Sequence, residues 1–199
     1  MSKQILILFL FLNSKLLFGQ FNFKLSVGLN LTNYELRMIS PTFKKDFKQY
    51  YKYRVLYNGG VEIEYEPKPN LSIVTGLNLD YRGSKNYAYP PPFRDYVLAE
   101  YTFVEIPILF KYKFLPTKFY IGSGFNLNKR VGSNSITYEE YNHPYGFDFK
   151  SLIGFKLFNR TFIQTAYTFG NIDKWLFGKY DYHMFHVFSI NIQYTFFKF

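Results

Sequence analysis

Bulky apolar side chains occupy alternate positions in eight separate segments of this 199-residue chain, and small or charged residues fill the positions between them. In the segment from Leu71 to Arg82, for example, Leu77 and Leu79 alternate with Asn78 and Asp80. Because successive side chains of a β-strand point to opposite faces, each segment is predicted to be a strand with one apolar and one polar face. If the apolar faces point outward, the strands form a barrel whose solvent is lipid.

The predicted strands are separated by connections of two lengths. Short turns follow the second, fourth and sixth strands, and long segments follow the first, third, fifth and seventh. An up-and-down barrel with an even number of strands places both termini and all the short turns at one end, as outer-membrane barrels do. The sequence therefore predicts an all-β fold, an eight-stranded antiparallel up-and-down transmembrane β-barrel. Its strands are predicted at Phe21 to Thr32, Val55 to Glu66, Leu71 to Arg82, Thr102 to Phe114, Lys118 to Asn128, Phe147 to Leu157, Thr161 to Phe169 and Val187 to Phe197.

A soluble eight-stranded calyx has the same alternation with its faces reversed, so the alternation alone leaves both kinds of barrel open. Three features favour the membrane barrel. Aromatic residues make up 23% of the chain and collect near the strand ends, where outer-membrane barrels carry aromatic girdles. The polar positions are rich in Gly, Ser and Asn, which suit a narrow interior, and the chain contains no cysteine that could form a disulfide.

The N-terminus is typical of a secretory signal peptide. Lys3 supplies a positive charge, an apolar run from Ile5 to Leu12 follows, and Gly19 provides a small residue for cleavage. A membrane anchor is the alternative, but this run is far shorter than the about 20 residues that a spanning helix needs. We expect residues 1–19 to be a signal peptide and residues 20–199 to form the barrel domain in the bacterial outer membrane, with both termini in the periplasm.

The chain is basic, with a formal charge of +10, of which Lys3 and Lys15 would leave with the signal peptide. An exported chain without a recognisable nucleic-acid motif is not expected to bind nucleic acid. Outer-membrane lipids and lipopolysaccharide, which present an anionic surface, are the expected partners for this charge. We also expect contact with the barrel-assembly machinery and no cofactor.

The segment from Phe103 to Lys113, FVEIPILFKYK, resembles a strand of the PorT-like outer-membrane β-barrel family. Residues 62–66, 71–79, 120–124 and 194–196 are also similar to that family. The resemblance implies an eight-stranded outer-membrane barrel, and some members act in protein-secretion and gliding machinery. It implies no catalytic residues. The chain differs from the family at its C-terminal end, where Phe197, Lys198 and Phe199 follow the position of the family's usual terminal aromatic residue. Phe199 is predicted to be out of phase with the lipid-facing residues of the last strand.

Charged residues recur at the polar, inward-facing positions of the predicted strands. An eight-stranded barrel leaves an interior that side chains fill, and an unpaired buried charge is costly. These residues are therefore predicted to form a structural network of salt bridges and hydrogen bonds in the lumen, with a narrow ion path or proton relay as the alternative. They are Lys24, Glu62, Glu64, Asp80, Arg82, Glu105, Lys111, Lys113, Asp148, Lys150 and Lys156.

Histidines and an aspartate near the predicted loops are the candidates for chemistry. A rim enzyme acting on lipid or peptide could use His143, Asp181 or His183, and a loop metal site is a further alternative. His183 and His186 differ in parity, which argues against a shared role if both lie in the last strand. The chain has no HExxH or GxSxG motif, so we predict that it is not an enzyme and holds no metal.

The first long connection, from Asn33 to Arg54, is rich in basic and aromatic residues. After Ser40 and Pro41 the aromatic residues follow a helical spacing, so a short amphipathic helix on the anionic leaflet and an irregular loop are both open. The candidate loop residues for interaction are Lys44, Lys45, Lys48 and Trp175, although Trp175 could instead pack within its loop.

The absence of a catalytic motif and the basic, aromatic loops favour a non-enzymatic structural or interaction protein, accessory to a protein-secretion apparatus. Secretion-system proteins would then be its partners. A rim enzyme and a small channel are the two alternatives.

Overall fold

The computed structural model describes residues 19–37, 52–87, 96–135, 145–170 and 182–199, and these form eight antiparallel strands paired in chain order around a closed barrel. This architecture confirms the predicted fold class. Within the described ranges the chain contains no helix long and apolar enough to cross a bilayer. The strands are β1 (Gln20–Arg37), β2 (Arg54–Lys68), β3 (Leu71–Tyr87), β4 (Tyr96–Lys113), β5 (Phe119–Ser135), β6 (Tyr145–Lys156), β7 (Thr161–Gly170) and β8 (Tyr182–Lys198).

Each predicted strand is present, but several extend further at the end that carries the long connections, here called the loop end; the opposite end is the turn end. β1 continues to Arg37 and β2 begins at Arg54, so the first connection is shorter than the predicted span from Asn33 to Arg54. At the loop end, strand pairing extends into residues that do not form an apolar face. Tyr87 of β3, for example, pairs with Tyr96 of β4. About 9–11 residues of a tilted strand cross a bilayer, so strands of 18 residues such as β1 extend beyond the hydrocarbon.

The strand register sets the tilt of the barrel wall. Following paired residues once around the barrel from Phe21 leads back to β1 at Leu31, ten residues further along the chain. The path passes through Tyr65, Ile73, Phe110, Ser123, Ser151, Tyr167 and Phe188. Such a stagger requires the strands to tilt by roughly 35–45° and leaves an interior that side chains can fill.

The two faces of the wall have the polarity predicted for a membrane barrel. Outward-facing Leu77 and Ile192 are 53% and 52% exposed, whereas the neighbouring Asn78 and Gln193 are buried inside. The alternative of a soluble calyx with an apolar interior is therefore wrong. Small residues let the wall close around this interior, since a Cβ atom added at Gly28 would overlap the Asn191 side chain and the Ile190 carbonyl oxygen.

The last strand corrects the prediction that Phe199 is out of phase with the lipid face. The pairing of β8 with β1 shifts between Phe23 and Lys24, so that Phe196 is an extra residue in a β-bulge. The bulge reverses the parity of the residues that follow it. The Phe199 ring consequently lies against the outward-facing Phe23, with ring centroids 6.2 Å apart.

Candidate functional site in the barrel interior

Arg82 lies at the centre of an ion-pair cluster in the half of the lumen nearer the loop end. Its Nε atom is 2.6 Å from Asp80 Oδ2, its Nη1 atom is 2.7 Å from Asp148 Oδ2, and Nη2 pairs with Glu105. The four side chains, here called the arginine cluster, are almost completely buried and belong to β3, β4 and β6. The planar guanidinium presents its donors in several directions at once, so a single residue neutralises charges on three strands.

Asparagine side chains donate further hydrogen bonds to the three carboxylates. Asn126 Nδ2 donates to Glu105 Oε2 over 3.0 Å, and Asn128 Nδ2 donates to Asp148 Oδ2 over 2.7 Å. Asn30 Nδ2 donates to Asp80 on the other side of the cluster. Amide donors of this kind stabilise buried carboxylates without adding charge.

Aromatic rings cover the arginine cluster on its side toward the loop end. The guanidinium carbon of Arg82 lies 4.8 Å from the Phe103 ring centroid and 5.8 Å from that of Phe185, within the range of a cation–π contact. Tyr101 and Val187 complete this buried apolar group. These residues are not among those predicted for the lumen, although Tyr101 and Phe103 share the inward parity of Glu105, which would have indicated them.

A second cluster, here called the lysine cluster, occupies the half of the lumen nearer the turn end. It consists of Lys24, Lys111, Lys113, Glu62, Glu64 and Glu66. Glu64 is its centre, because this carboxylate pairs with Lys24 and lies 2.7 Å from Lys113 Nζ. Lys113 also contacts Glu66 Oε1 at 2.6 Å, and Gln193 Nε2 donates to Glu62 Oε2 over 2.8 Å.

Lys111 differs from the other members of the lysine cluster. Its side chain is 1% exposed, yet its ammonium forms no hydrogen bond with a described residue and lies 3.9 Å from both Glu62 and Glu64. The ring of Tyr120 lies 5.2 Å from Lys111 Nζ and supplies a cation–π contact. The Lys111 ammonium is therefore stabilised by the electrostatic potential of the nearby glutamates and of the Tyr120 ring rather than by a direct hydrogen bond.

Two of the residues predicted for the lumen network, Lys150 and Lys156, form no ion pair with any described residue. Lys150 is buried beside a polar cavity of about 20 Å³ between the two clusters, which Glu62, Asp80 and Glu105 also line. A polar cavity of this size can hold one water molecule, which would link the ammonium to the carboxylates. Lys156 is partly exposed and lines an open cavity at the turn end.

All eleven residues predicted for the lumen lie in one of the two clusters or beside one of the two cavities, together with one residue that the prediction omitted. The omitted residue is Glu66, the last residue of the predicted second strand, which lies two residues before the end of β2. The described lumen has no grouping of three or more His, Asp or Glu side chains suited to a metal ion. The arrangement of the described interior residues allows positive and negative side chains from different strands to neutralise one another.

The residues predicted for the loops are mostly outside the described part of the chain. This applies to Lys44, Lys45, Lys48, Trp175, His143 and Asp181, and to the first-loop helix. His183 and His186 both lie in β8, three positions apart. His186 Nδ1 is 2.7 Å from the Tyr167 hydroxyl, and its ring packs beside Phe169 with centroids 5.3 Å apart, so this histidine contacts aromatic residues of the wall.

The sequence of this barrel matches a known protein family. Residues 13–195 match the family described as outer membrane protein beta-barrel domain. Comparison with curated protein sequences found no significant match.

Several solved structures are similar to the fold. Ail, the attachment invasion locus protein of Yersinia pestis, is 10% identical, with 91% of this chain and 99% of that chain covered and a TM-score of 0.46. Neisserial surface protein A is 12% identical over 87% of this chain and 97% of its own, with a TM-score of 0.47. OprG from Pseudomonas aeruginosa is 11% identical over 91% of this chain and 96% of its own, with a TM-score of 0.44.

The family match extends over most of the chain, from before β1 to near the end of β8. The closed barrel, its apolar outer surface and its charged interior are the features that such a family requires in a lipid and lipopolysaccharide environment. The protein therefore belongs to the outer membrane protein beta-barrel domain family and is an eight-stranded barrel of the bacterial outer membrane.

Proposed function

We propose that this protein is non-enzymatic and has a structural or interaction role, accessory to a protein-secretion apparatus as in the PorT-like family that residues 103–113 resemble. The observation that supports this role is the filled interior. The arginine and lysine clusters cross the lumen, and the cavity between them has room for about one water molecule. With so little space along the axis, the surfaces available to a partner are the loops and the rim.

In this proposal the charged residues of the lumen are structural. They hold the strands together across the interior and are not a relay for protons or ions. Lys24, Glu64 and Arg82 are buried and engaged by oppositely charged neighbours, as expected for groups whose ion pairs offset the cost of burial.

The proposal includes export and orientation. Cleavage after Gly19 would release the signal peptide, the barrel-assembly machinery would insert the remaining chain, and the termini and short turns would face the periplasm. N-terminal sequencing of the protein from outer membranes is expected to begin at Gln20. An epitope inserted within residues 137–143 should be labelled on intact cells, and one inserted at Thr117 should be labelled only after permeabilisation.

Two measurements test the role itself. In planar bilayers the purified barrel is expected to give no single-channel conductance. In native membranes, chemical cross-linking and affinity capture are expected to recover a secretion-system protein. Deletion of residues 41–48, which removes Lys44, Lys45 and Lys48, should abolish this capture.

The matched control is a deletion of residues 137–144 from another long connection, which should retain the partner. Steady ionic conductance would establish the small channel instead. Equal capture by both deletion variants would contradict an interaction through the basic loop.

A further inference from the structure

A wide cavity, here called the turn-end cup, opens at the end of the barrel that carries the three short turns. Its volume is about 1030 Å³, which is in the range of sites that hold a sizeable ligand. The lining comes from every strand except β3 and from two turns, so the cup occupies the mouth of the barrel. Buried Lys24 lies at its floor, where the lysine cluster closes the lumen.

The cup is strongly basic. Glu66 is the one acidic side chain in its lining, and this carboxylate is already engaged by Lys113. The cations of the lining are Lys24, Lys113, Lys118, Lys156, Arg160 and Lys198. Lys24 and Lys113 pair with glutamates of the lysine cluster, whereas the remaining four form no ion pair or hydrogen bond with any described side chain. The cup therefore presents four positive charges without a described counter-charge.

The backbone beneath these cations is fixed by hydrogen bonds between strands. The Lys118 carbonyl oxygen accepts from the Lys156 N–H over 2.9 Å, and the Arg160 carbonyl oxygen accepts from the Thr195 N–H over 2.8 Å. The turn that precedes Lys118 is closed by Thr117, whose hydroxyl donates to the Phe114 carbonyl. The backbone at these positions is therefore ordered before a ligand binds, and only the side chains lose conformational freedom on binding.

Aromatic rings accompany the cations. Phe158 and Phe162 line the cup, and Phe158 is 72% exposed. The Phe162 ring lies 4.3 Å from Lys24 Nζ and covers the floor. A small inorganic anion would leave these rings without contacts, whereas a peptide that carries carboxylates and apolar side chains can use the charges and the rings together.

Lipid headgroups are a less suitable ligand for the same charges. They surround the outside of a barrel, whereas the cup lies over its mouth and reaches inward to Lys24 and Lys156. We propose that the turn-end cup binds an acidic, aromatic-containing peptide segment of a soluble partner protein. The inference rests on the proposed interaction role, and in the proposed orientation the segment would come from the periplasm.

The test uses the complete mature barrel in nanodiscs of phosphatidylcholine, which adds no net negative charge. The probe is a fluorescein-labelled octapeptide of alternating Glu and Phe, and binding is followed by fluorescence anisotropy. We expect saturable binding that weakens with added salt and is absent for the peptide of alternating Gln and Phe. The double variant Lys118→Glu and Arg160→Glu should weaken binding at least about tenfold.

The matched control is Lys68→Glu, because Lys68 is an exposed cation of the same end that does not line the cup. This variant should bind the probe as the wild type does. Circular dichroism of the variants verifies that the barrel is folded. Equal weakening by Lys68→Glu, binding unaffected by the double variant, or no binding at all would overturn the proposal.

Competition with the soluble headgroup glycerophosphoglycerol, in the same phosphatidylcholine nanodiscs, distinguishes a lipid headgroup from a peptide as the ligand. Unchanged peptide affinity supports the peptide site, and displacement of the peptide by this headgroup would assign the cup to lipid instead. The result is independent of the loop-deletion and conductance measurements. A conducting barrel would contradict the proposed function without affecting this binding assay, and a failure of peptide binding would leave capture through the loop intact.

Discussion

The arginine cluster and the lysine cluster hold carboxylates inside the same narrow barrel with different geometries. In the arginine cluster, one guanidinium makes direct contacts with three carboxylates from three strands. In the lysine cluster, three ammonium groups share three glutamates, and Lys111 remains 3.9 Å from its nearest carboxylates. The first cluster depends on one residue, whereas the second distributes its charge among several.

The difference follows from the chemistry of the two cations. A guanidinium is planar and donates in several fixed directions, so it can join elements that lie on different sides of a lumen. An ammonium is a compact charge on a flexible stem, and several are needed to surround a group of carboxylates. The comparison predicts that substitutions in the arginine cluster have larger effects on stability than those in the lysine cluster.

The largest effect is expected for Arg82→Met. The substitution leaves Asp80, Glu105 and Asp148 buried without their common cation, and breaking a buried pair in this way costs about 3–5 kcal/mol. The measurement is the free energy of unfolding, obtained from urea titration of the barrel in lipid vesicles. Arg82→Lys should recover only part of this loss, because one ammonium cannot reach three carboxylates in fixed directions.

Adding Glu105→Gln to Arg82→Met provides the control for this prediction. It removes one of the stranded charges, so the double variant should be more stable than Arg82→Met alone. A loss below about 1 kcal/mol for Arg82→Met would contradict the central position of the guanidinium.

A smaller loss, about 2–3 kcal/mol, is expected for Glu64→Gln. Glu64 is the centre of the lysine cluster, and its neutral replacement leaves Lys24 and Lys113 with fewer counter-charges. The same urea titration measures the change. Glu66→Gln is the matched control and should cost less than about 1 kcal/mol, because Glu66 is partly exposed at the turn end.

The sequence predicts that most charged side chains of the two clusters face the lumen. It does not predict which of these side chains form ion pairs with one another. Alternation with Leu79 indicates that Asp80 faces inward, and that inference depends only on neighbouring residues. The contact of Arg82 with Asp148 joins β3 to β6 and depends on the stagger of the strands around the whole barrel. A single strand carries no information about that stagger.

Irregular positions of the barrel could not be predicted from the sequence, for physical reasons. The bulge at Phe196 reverses the parity on which every inward or outward prediction rests, and nothing in the order of aromatic residues indicates it. Tyr101 was missed for another reason, because the predicted strand began at Thr102. Ends of strands beyond the hydrocarbon need no apolar face, so alternation cannot locate them.

Lys111→Met tests the contribution of a buried ammonium that lacks a direct partner among the described residues. Because the Lys111 ammonium forms no hydrogen bond with any residue that the structure describes and Met has a similar shape, the loss of stability is expected to be about 1 kcal/mol. Glu62 keeps the hydrogen bond from Gln193 in this variant. Urea titration beside Arg82→Met gives the contrast directly, and equal losses for the two variants would show that direct contact is not what separates the clusters.

The smallest effect is expected for the ion pair between Arg54 and Glu100, which lies near the loop end. Its side chains are 20% and 31% exposed, against 1% and 3% for Arg82 and Glu105, so water screens this pair more than it screens the arginine cluster. A double-mutant cycle with Arg54→Ala and Glu100→Ala should give a coupling free energy below about 0.5 kcal/mol that falls further in concentrated salt. Coupling as strong as that between Arg82 and Glu105 would mean that burial is not the source of the difference, and the ranking of the two clusters would lose its physical basis.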